Sequence, residues 1–268
     1  MPVRPLRSLD PPPDARRSYS AWLDDIETRL ADARCDRNEL CASLLRGIYF
    51  PDLTGVDGEN LRALPLATRA AIANLDPRNV TLEPEYYAEV DTELFASRKP
   101  LIWLWQMFDR SPMGGNVWLG VRLRRLLAPY VFQSVGGNFK CFHFVEFSFG
   151  YNLIVGDDVV IHRNVLLDDR GGIRLGNRVS ISDYAAVYSH SHSIDDISDV
   201  TNKVTVLEDG VRVTAGAAIL AGVRVSEQAM VGARAVATRD VPAGHVNVGV
   251  PARTVAVKRT FGDDQPGP

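Results

Sequence analysis

The segment Tyr188-Ser189-His190-Ser191-His192-Ser193-Ile194-Asp195-Asp196 sets two of the chain's five histidines two residues apart and follows them with paired carboxylates. A neutral imidazole, with an ordinary pKa near 6.5, suits the removal of a proton from a hydroxyl at neutral pH. A His-x-His pair also suits zinc, which takes about three protein ligands and a water in catalytic sites, and His162 is available as a third ligand. A solvated polar loop is the plain alternative. In an extended chain residues i and i+2 share a side, so His190 and His192 would point the same way. Asp195 or Asp196 could hold an imidazole Nδ1–H and fix its tautomer. What decides among these chemistries is the set of elements that carries the segment.

Those elements repeat every six residues. Phe149, Val155, Ile161 and Leu167 recur at that spacing, and after a two-residue insertion Leu175, Ile181 and Val187 continue it. The histidine segment interrupts the series, which restarts at Leu207 and runs through Val213, Ile219, Val225, Val231 and Ala237. Two residues before almost every anchor sits another apolar residue, as at Leu153, Val159, Val211 and Ala229. Glycine or a small polar residue often follows the anchor, as at Gly156, Gly176, Thr214 and Ser226. This period fits no α-helix and no single hairpin. It fits a solenoid of short strands and tight turns. Alternation sends i and i−2 into one core, and small residues suit the turns. Each buried Val, Ile or Leu contributes ~1.5–3 kcal/mol. The expected fold is therefore mostly β, a parallel β-helix of about four coils over residues 136–257.

An α-helical N-terminal region is expected over residues 18–135. Trp22, Ile26, Leu30 and Ala33 fall on one helical face; Leu40, Leu44, Leu45 and Ile48 repeat the pattern before Pro51. Residues 64–75 read as a third helix and 83–99 as a fourth, with Pro84 in its first turn. Residues 114–132 join an apolar face to Arg122, Arg124 and Arg125; such a helix packs on the body of its own protein more often than on a membrane. Residues 1–17, rich in proline and arginine, read as a disordered tail, and 258–268 as a C-terminal tail. A net charge of −3 gives no general pull toward nucleic acid or anionic lipid. The block Pro100–Phe108 is far short of the ~20 apolar residues that span a bilayer. The N-terminus has no apolar run of the secretory kind. Three cysteines without metal-ligand spacing read as reduced thiols of a cytoplasmic protein.

The stretch from Val211 to Val255, ending in Val248-Gly249-Val250-Pro251-Ala252-Arg253-Thr254-Val255, resembles the hexapeptide-repeat acyltransferases. With the segment Phe149–Ile161, it is similar more narrowly to their maltose and galactoside O-acetyltransferase branch. The resemblance covers about residues 144–257. It implies a left-handed parallel β-helix and a homotrimer, with acetyl-coenzyme A in the groove between adjacent subunits. It also implies direct acyl transfer to a hydroxyl of a sugar or other small-molecule acceptor. Aligned on Leu175 and Ile181, the family's catalytic histidine falls on His192, as general base; Ser193 stands where the family has proline. The family's acceptor-site asparagine falls on His162, with Asn164 two residues on. Its acidic pair falls on Asp169 and Arg170. His190 would then be a substrate-side neighbour of the base. The coenzyme would lie beside Ala215, Gly216, Ala233 and Gly249, whose small side chains admit a pantetheine arm. Arg253 and Lys258 would meet its phosphates. No metal is expected. The N-terminal region departs from the short helical domain typical of sugar acetyltransferases. The rival readings are a zinc hydratase like the gamma-type carbonic anhydrases and a non-catalytic β-helix scaffold.

Overall fold

The computed structural model describes residues 9–196 and 199–259, in which a helical region leads into a parallel β-helix. The helices are α1 (Pro13–Ala31), α2 (Arg37–Tyr49), α3 (Gly58–Ala63), α4 (Leu66–Ala73), α5 (Thr92–Arg110) and α6 (Val117–Val131). Helix α1 buries Leu23, Ile26 and Leu30, the stripe that the spacing implied. It begins at Pro13, inside the tail expected over 1–17, because a proline in the first turn forfeits no intrahelical hydrogen bond. Residues 1–8 and 260–268 of the two expected tails lie outside the described residues. The helix expected over 83–99 divides. Pro84 supports one 3-10 turn, Glu83–Tyr86, and Asp91 then caps α5 by accepting the Leu94 N–H at 2.9 Å.

The arginine-rich helix packs inward. Arg124 on α6 is 1% exposed, and its guanidinium pairs with Asp109 near the end of α5. It also donates to the carbonyls of Gly114 (2.8 Å) and Cys141 (3.3 Å), while Asp109 accepts the Phe144 N–H at 2.7 Å. A buried ion pair persists only when its remaining donors and acceptors are satisfied. Here those bonds fasten α5 and α6 to the first coil of the solenoid.

The solenoid has three walls. Wall A stacks β1 (Ser134–Val135), β4 (Leu153–Val155), β7 (Ile173–Leu175), β12 (Thr205–Leu207) and β15 (Arg224–Val225). Wall B stacks β2 (Lys140–Cys141), β5 (Val160–Ile161), β8 (Ser180–Ile181), β13 (Arg212–Val213), β16 (Met230–Val231) and β18 (His245–Val248), with β19 (Arg253–Val257) added antiparallel. Wall C stacks β3 (Glu146–Phe147), β6 (Leu166–Asp168), β9 (Ala186–Tyr188), β14 (Ala218–Ile219) and β17 (Val236–Ala237). A hairpin of β10 (His190–His192) and β11 (Val200–Asn202) projects from it. This makes about six turns rather than four. The first coil, anchored by Val135, Cys141 and Phe147, lacks the run of aliphatic anchors that marks the others. The aliphatic anchors from Val155 to Val231 are at most 3% exposed. Phe149 is displaced from its expected role. Phe147 is the residue that pairs with Leu167, and Phe149 lies in the corner beyond, stacked on Tyr151 at 5.1 Å.

The three corners differ. At the A–B corner a side-chain ladder runs up the prism. Asp157 accepts the Gly137 N–H (2.6 Å), Asn177 accepts that of Asp157 (2.9 Å), and Asp209 accepts that of Asn177 (2.8 Å). Left-handed φ recurs at that corner in Asn138, Asp158, Arg178 and Gln228 (54°, 58°, 57° and 58°), and at the B–C corner, without such a ladder, in Phe144, Asn164, Tyr184 and Arg234 (57°, 56°, 62° and 56°). The C–A corner takes the two-residue insertion between Leu167 and Leu175, a second of the same length between Phe147 and Val155, and the histidine segment. Among the described residues no helix is long and apolar enough to cross a membrane, and all three cysteines are free thiols.

Candidate active site

The C–A corner positions its side chains through strand alternation. Leu167 on β6 points into the core, so Asp168 points out. The hairpin grows from the next coil, with His190 opposite Asn202 and His192 opposite Val200. Its stem is pinned to the corner below. The Ser189 hydroxyl donates to the Asp168 carbonyl (2.5 Å) and accepts the Gly171 N–H (2.8 Å). A Cβ on Gly171 would stand 2.2 Å from the Ser189 carbonyl oxygen, so only glycine lets the stem come this close.

The Asp168 carboxylate meets Nδ1 of His190, and the Ser148 hydroxyl donates to the same carboxylate at 3.3 Å. Asp168 is 4% exposed, whereas the His190 side chain keeps 19% of its surface in solvent. His190 and His192 lie on one side of β10, as the alternation required, with ring centroids 5.2 Å apart and planes at 87°. His192 itself is exposed. Asp169 behaves otherwise than expected. It is fully buried and accepts the N–H groups of Phe149 (2.7 Å) and Asn152 (3.2 Å). Burial lifts its carboxyl to about 7, against the pull of those amides. It braces the corner and cannot reach an acceptor. Asp168, which lies on the expected strand but which the register passed over for Asp169 and Arg170, is the carboxylate at the histidines. Counting outward from Leu167 would have found it.

Between this corner and the helical region lies a cleft of about 420 Å³. His190, Asp168 and Tyr188 line it from the solenoid; Tyr87, Gln106 and Arg110 line it from the helices. Arg170 locks the two parts together, since its Nε donates to Glu89 at 2.6 Å and its guanidinium lies 4.0 Å from the Tyr87 ring centre.

The other expected site residues sit elsewhere. His162 lies flat on Phe142, with ring centroids at 5.0 Å and planes at 5°, beside the B–C corner. Asn164 holds one of that corner's left-handed positions. Ala215 and Gly216, Ala233, and Gly249 occupy the same corner on three successive coils, linked by hydrogen bonds from Arg234 N to Ala215 O and from Val236 N to Gly249 O, both 3.0 Å. Arg253 follows Gly249 at the start of β19. Lys258 does not join them. Its ammonium meets the carbonyl of Gln228, at the A–B corner. The histidines and the small-residue edge thus flank wall C, roughly 15 Å apart for a corner-to-corner run of about five extended residues. Within one chain, no three His, Cys, Asp or Glu side chains among the described residues are grouped to hold a metal ion. Burial pushes the Cys41 and Cys141 thiols up, and neither lines the cleft.

No family model matches the chain. In fold it is similar to a maltose O-acetyltransferase from Clostridium difficile 630, with a TM-score of 0.56 and 23% identity over 65% of this chain and 92% of that one. It is likewise similar to a hexapeptide-repeat acetyltransferase from Vibrio cholerae, with a TM-score of 0.52 and 25% identity over 66% and 94% of the two chains. A segment of 50 residues is 50% identical to 2,3,4,5-tetrahydropyridine-2,6-dicarboxylate N-acetyltransferase of Staphylococcus aureus (strain JH9), which is 19% of this chain and 21% of that protein. The match thus spans about a fifth of that curated relative. The resemblance read from the repeat holds at the level of the fold.

Proposed function

We propose that this chain transfers an acetyl group from acetyl-coenzyme A to a hydroxyl of a saccharide or other polar small molecule, as one subunit of a homotrimer. The acceptor oxygen attacks the thioester carbonyl carbon and passes its proton to a ring nitrogen of His192. The C–S bond breaks, and the thiolate takes up a proton to leave as free coenzyme A. His190, held at Nδ1 by Asp168, packs its ring against that of His192 and positions it. Base catalysis of this kind is worth ~10²–10⁴ in rate. The observation that carries the reading is the run Asp168, His190, His192, its first two members lining a polar cleft, one wall's width from an edge of small residues on the following coils that would admit a pantetheine arm. The width of wall C separates that edge from the histidines, so a neighbouring copy is needed to bring thioester and base together. The fold shared with acetyltransferases, one of them solved with acetyl-coenzyme A, supports the choice of donor.

An amine acceptor is the second reading, favoured by the N-acetyltransferase relative. Thiol release from acetyl-coenzyme A across sugars, amino sugars and serine separates the two. His192→Ala should cut that release ~100-fold or more while the thermal shift given by acetyl-coenzyme A persists. If His190→Ala removes activity and His192→Ala does not, the base is His190. If acetyl-coenzyme A gives no shift at all, the solenoid is a scaffold.

A further inference from the structure

We infer that the acceptor lies across the outer face of wall C and is an elongated, hydroxyl-rich molecule of at least two sugar-sized rings, the remote ring being read by Arg110 and Glu146. This rests on the acyl-transfer reading above. The cleft of about 420 Å³ at His190 continues into a second of about 340 Å³, and both are lined by Arg110, Glu146 and Leu166. The combined groove runs from His190 at one corner to Asn164 at the other, the full width of the wall. A single ring seated at the histidines would leave the second cleft empty.

The lining fits a saccharide. Phe144, 42% exposed, lines the far end, and Leu166 adds a second apolar surface. Arg110 and Glu146 are exposed charges, neither in an ion pair among the described residues. The Arg110 guanidinium donates at 2.9 Å to the Gln106 carbonyl of its own helix, and Arg110 lines both clefts. Arg170, by contrast, is paired with Glu89. A guanidinium from the end of α5 and a carboxylate on β3, both lining the groove, suit vicinal hydroxyls, which accept from the first and donate to the second. Arg110 ends α5, and the adjacent Asp109 is anchored by Arg124, so the helical region fixes where this reader stands.

Acceptors of one, two and three linked sugar rings test this by thiol release, alongside saturation-transfer NMR of the same acceptors on the full chain. The expected result is kcat/KM about tenfold higher for two rings than for one, the worth of a hydrogen bond to a charged group. Arg110→Ala and Glu146→Ala should raise KM for the two-ring acceptor about tenfold more than for the one-ring acceptor, with kcat kept. Saturation should reach protons of both rings. Equal kcat/KM for all lengths, or saturation confined to one ring, overturns the inference while leaving acyl transfer intact. Contact with both rings but no thiol release from any acceptor sinks the acyl-transfer reading and leaves the groove standing.

Discussion

At the scale of single residues, two neighbouring aspartates have opposite fates because the strand alternates. Asp169 turns inward. Its folded pKa of about 7 exceeds its ordinary 3.8, so between those values the folded chain keeps a proton that the unfolded chain has released. Stability conferred by this group is therefore complete below about 4 and declines as pH rises toward 7, then levels off. Urea unfolding across pH 4–8 should show that downward slope, and Asp169→Asn should flatten it. Asp168 turns outward to His190. Asp168→Asn keeps the shape but removes the charge that fixes the imidazole, and should lower kcat about tenfold or more. Nitrogen-15 spectra of the His190 ring should then show a mixture of tautomers; an unchanged ring with unchanged kcat would deny Asp168 this role. The histidines were visible in the sequence because they break a strict period. The partner carboxylate was not, because aligning on distant anchors carried the register onto Asp169 across an insertion.

At the scale of elements, the period of six was legible wherever the anchors were aliphatic, and each such anchor is in the core. It faded at the first coil, where Cys141 and Phe147 stand in for aliphatic anchors, and where the insertions fall. The N-terminal helices were legible as amphipathic stripes, but the break between Tyr86 and Asp91 was not, since its cause is a local choice between a 3-10 turn and a capped helix. The cleft could not be read at all, because it needs α5 and the 82–87 segment placed against β6 by tertiary contacts. Two tests belong here. Gly171→Ala puts a methyl against the Ser189 carbonyl and should displace the hairpin stem, with activity falling at least tenfold and a stability loss of about 1–3 kcal/mol. Asp209→Ala removes the acceptor for the Asn177 N–H and should cost about 1 kcal/mol in chemical denaturation without touching the histidines.

At the scale of the whole molecule, the separation of the histidine corner from the small-residue edge makes a test of shared sites. His192→Ala spoils one corner, and Ala233→Trp would block the other. Coexpressed, the two inactive chains should form mixed trimers in which some sites pair an intact corner with an intact edge, and activity should reappear above that of either parent. A site contained in one chain gives no such recovery.

The prism also distributes its extra length unevenly. Every added residue leaves at a single vertex, while the other two keep a fixed count from floor to floor. That vertex behaves as an expansion joint. Longer loops can be let out there without shearing the stack, whereas one added residue at either opposite vertex would rotate every storey above it out of line with those below. An arm of quite different length or composition could therefore be grafted between Tyr188 and Val204 onto an otherwise unaltered tower.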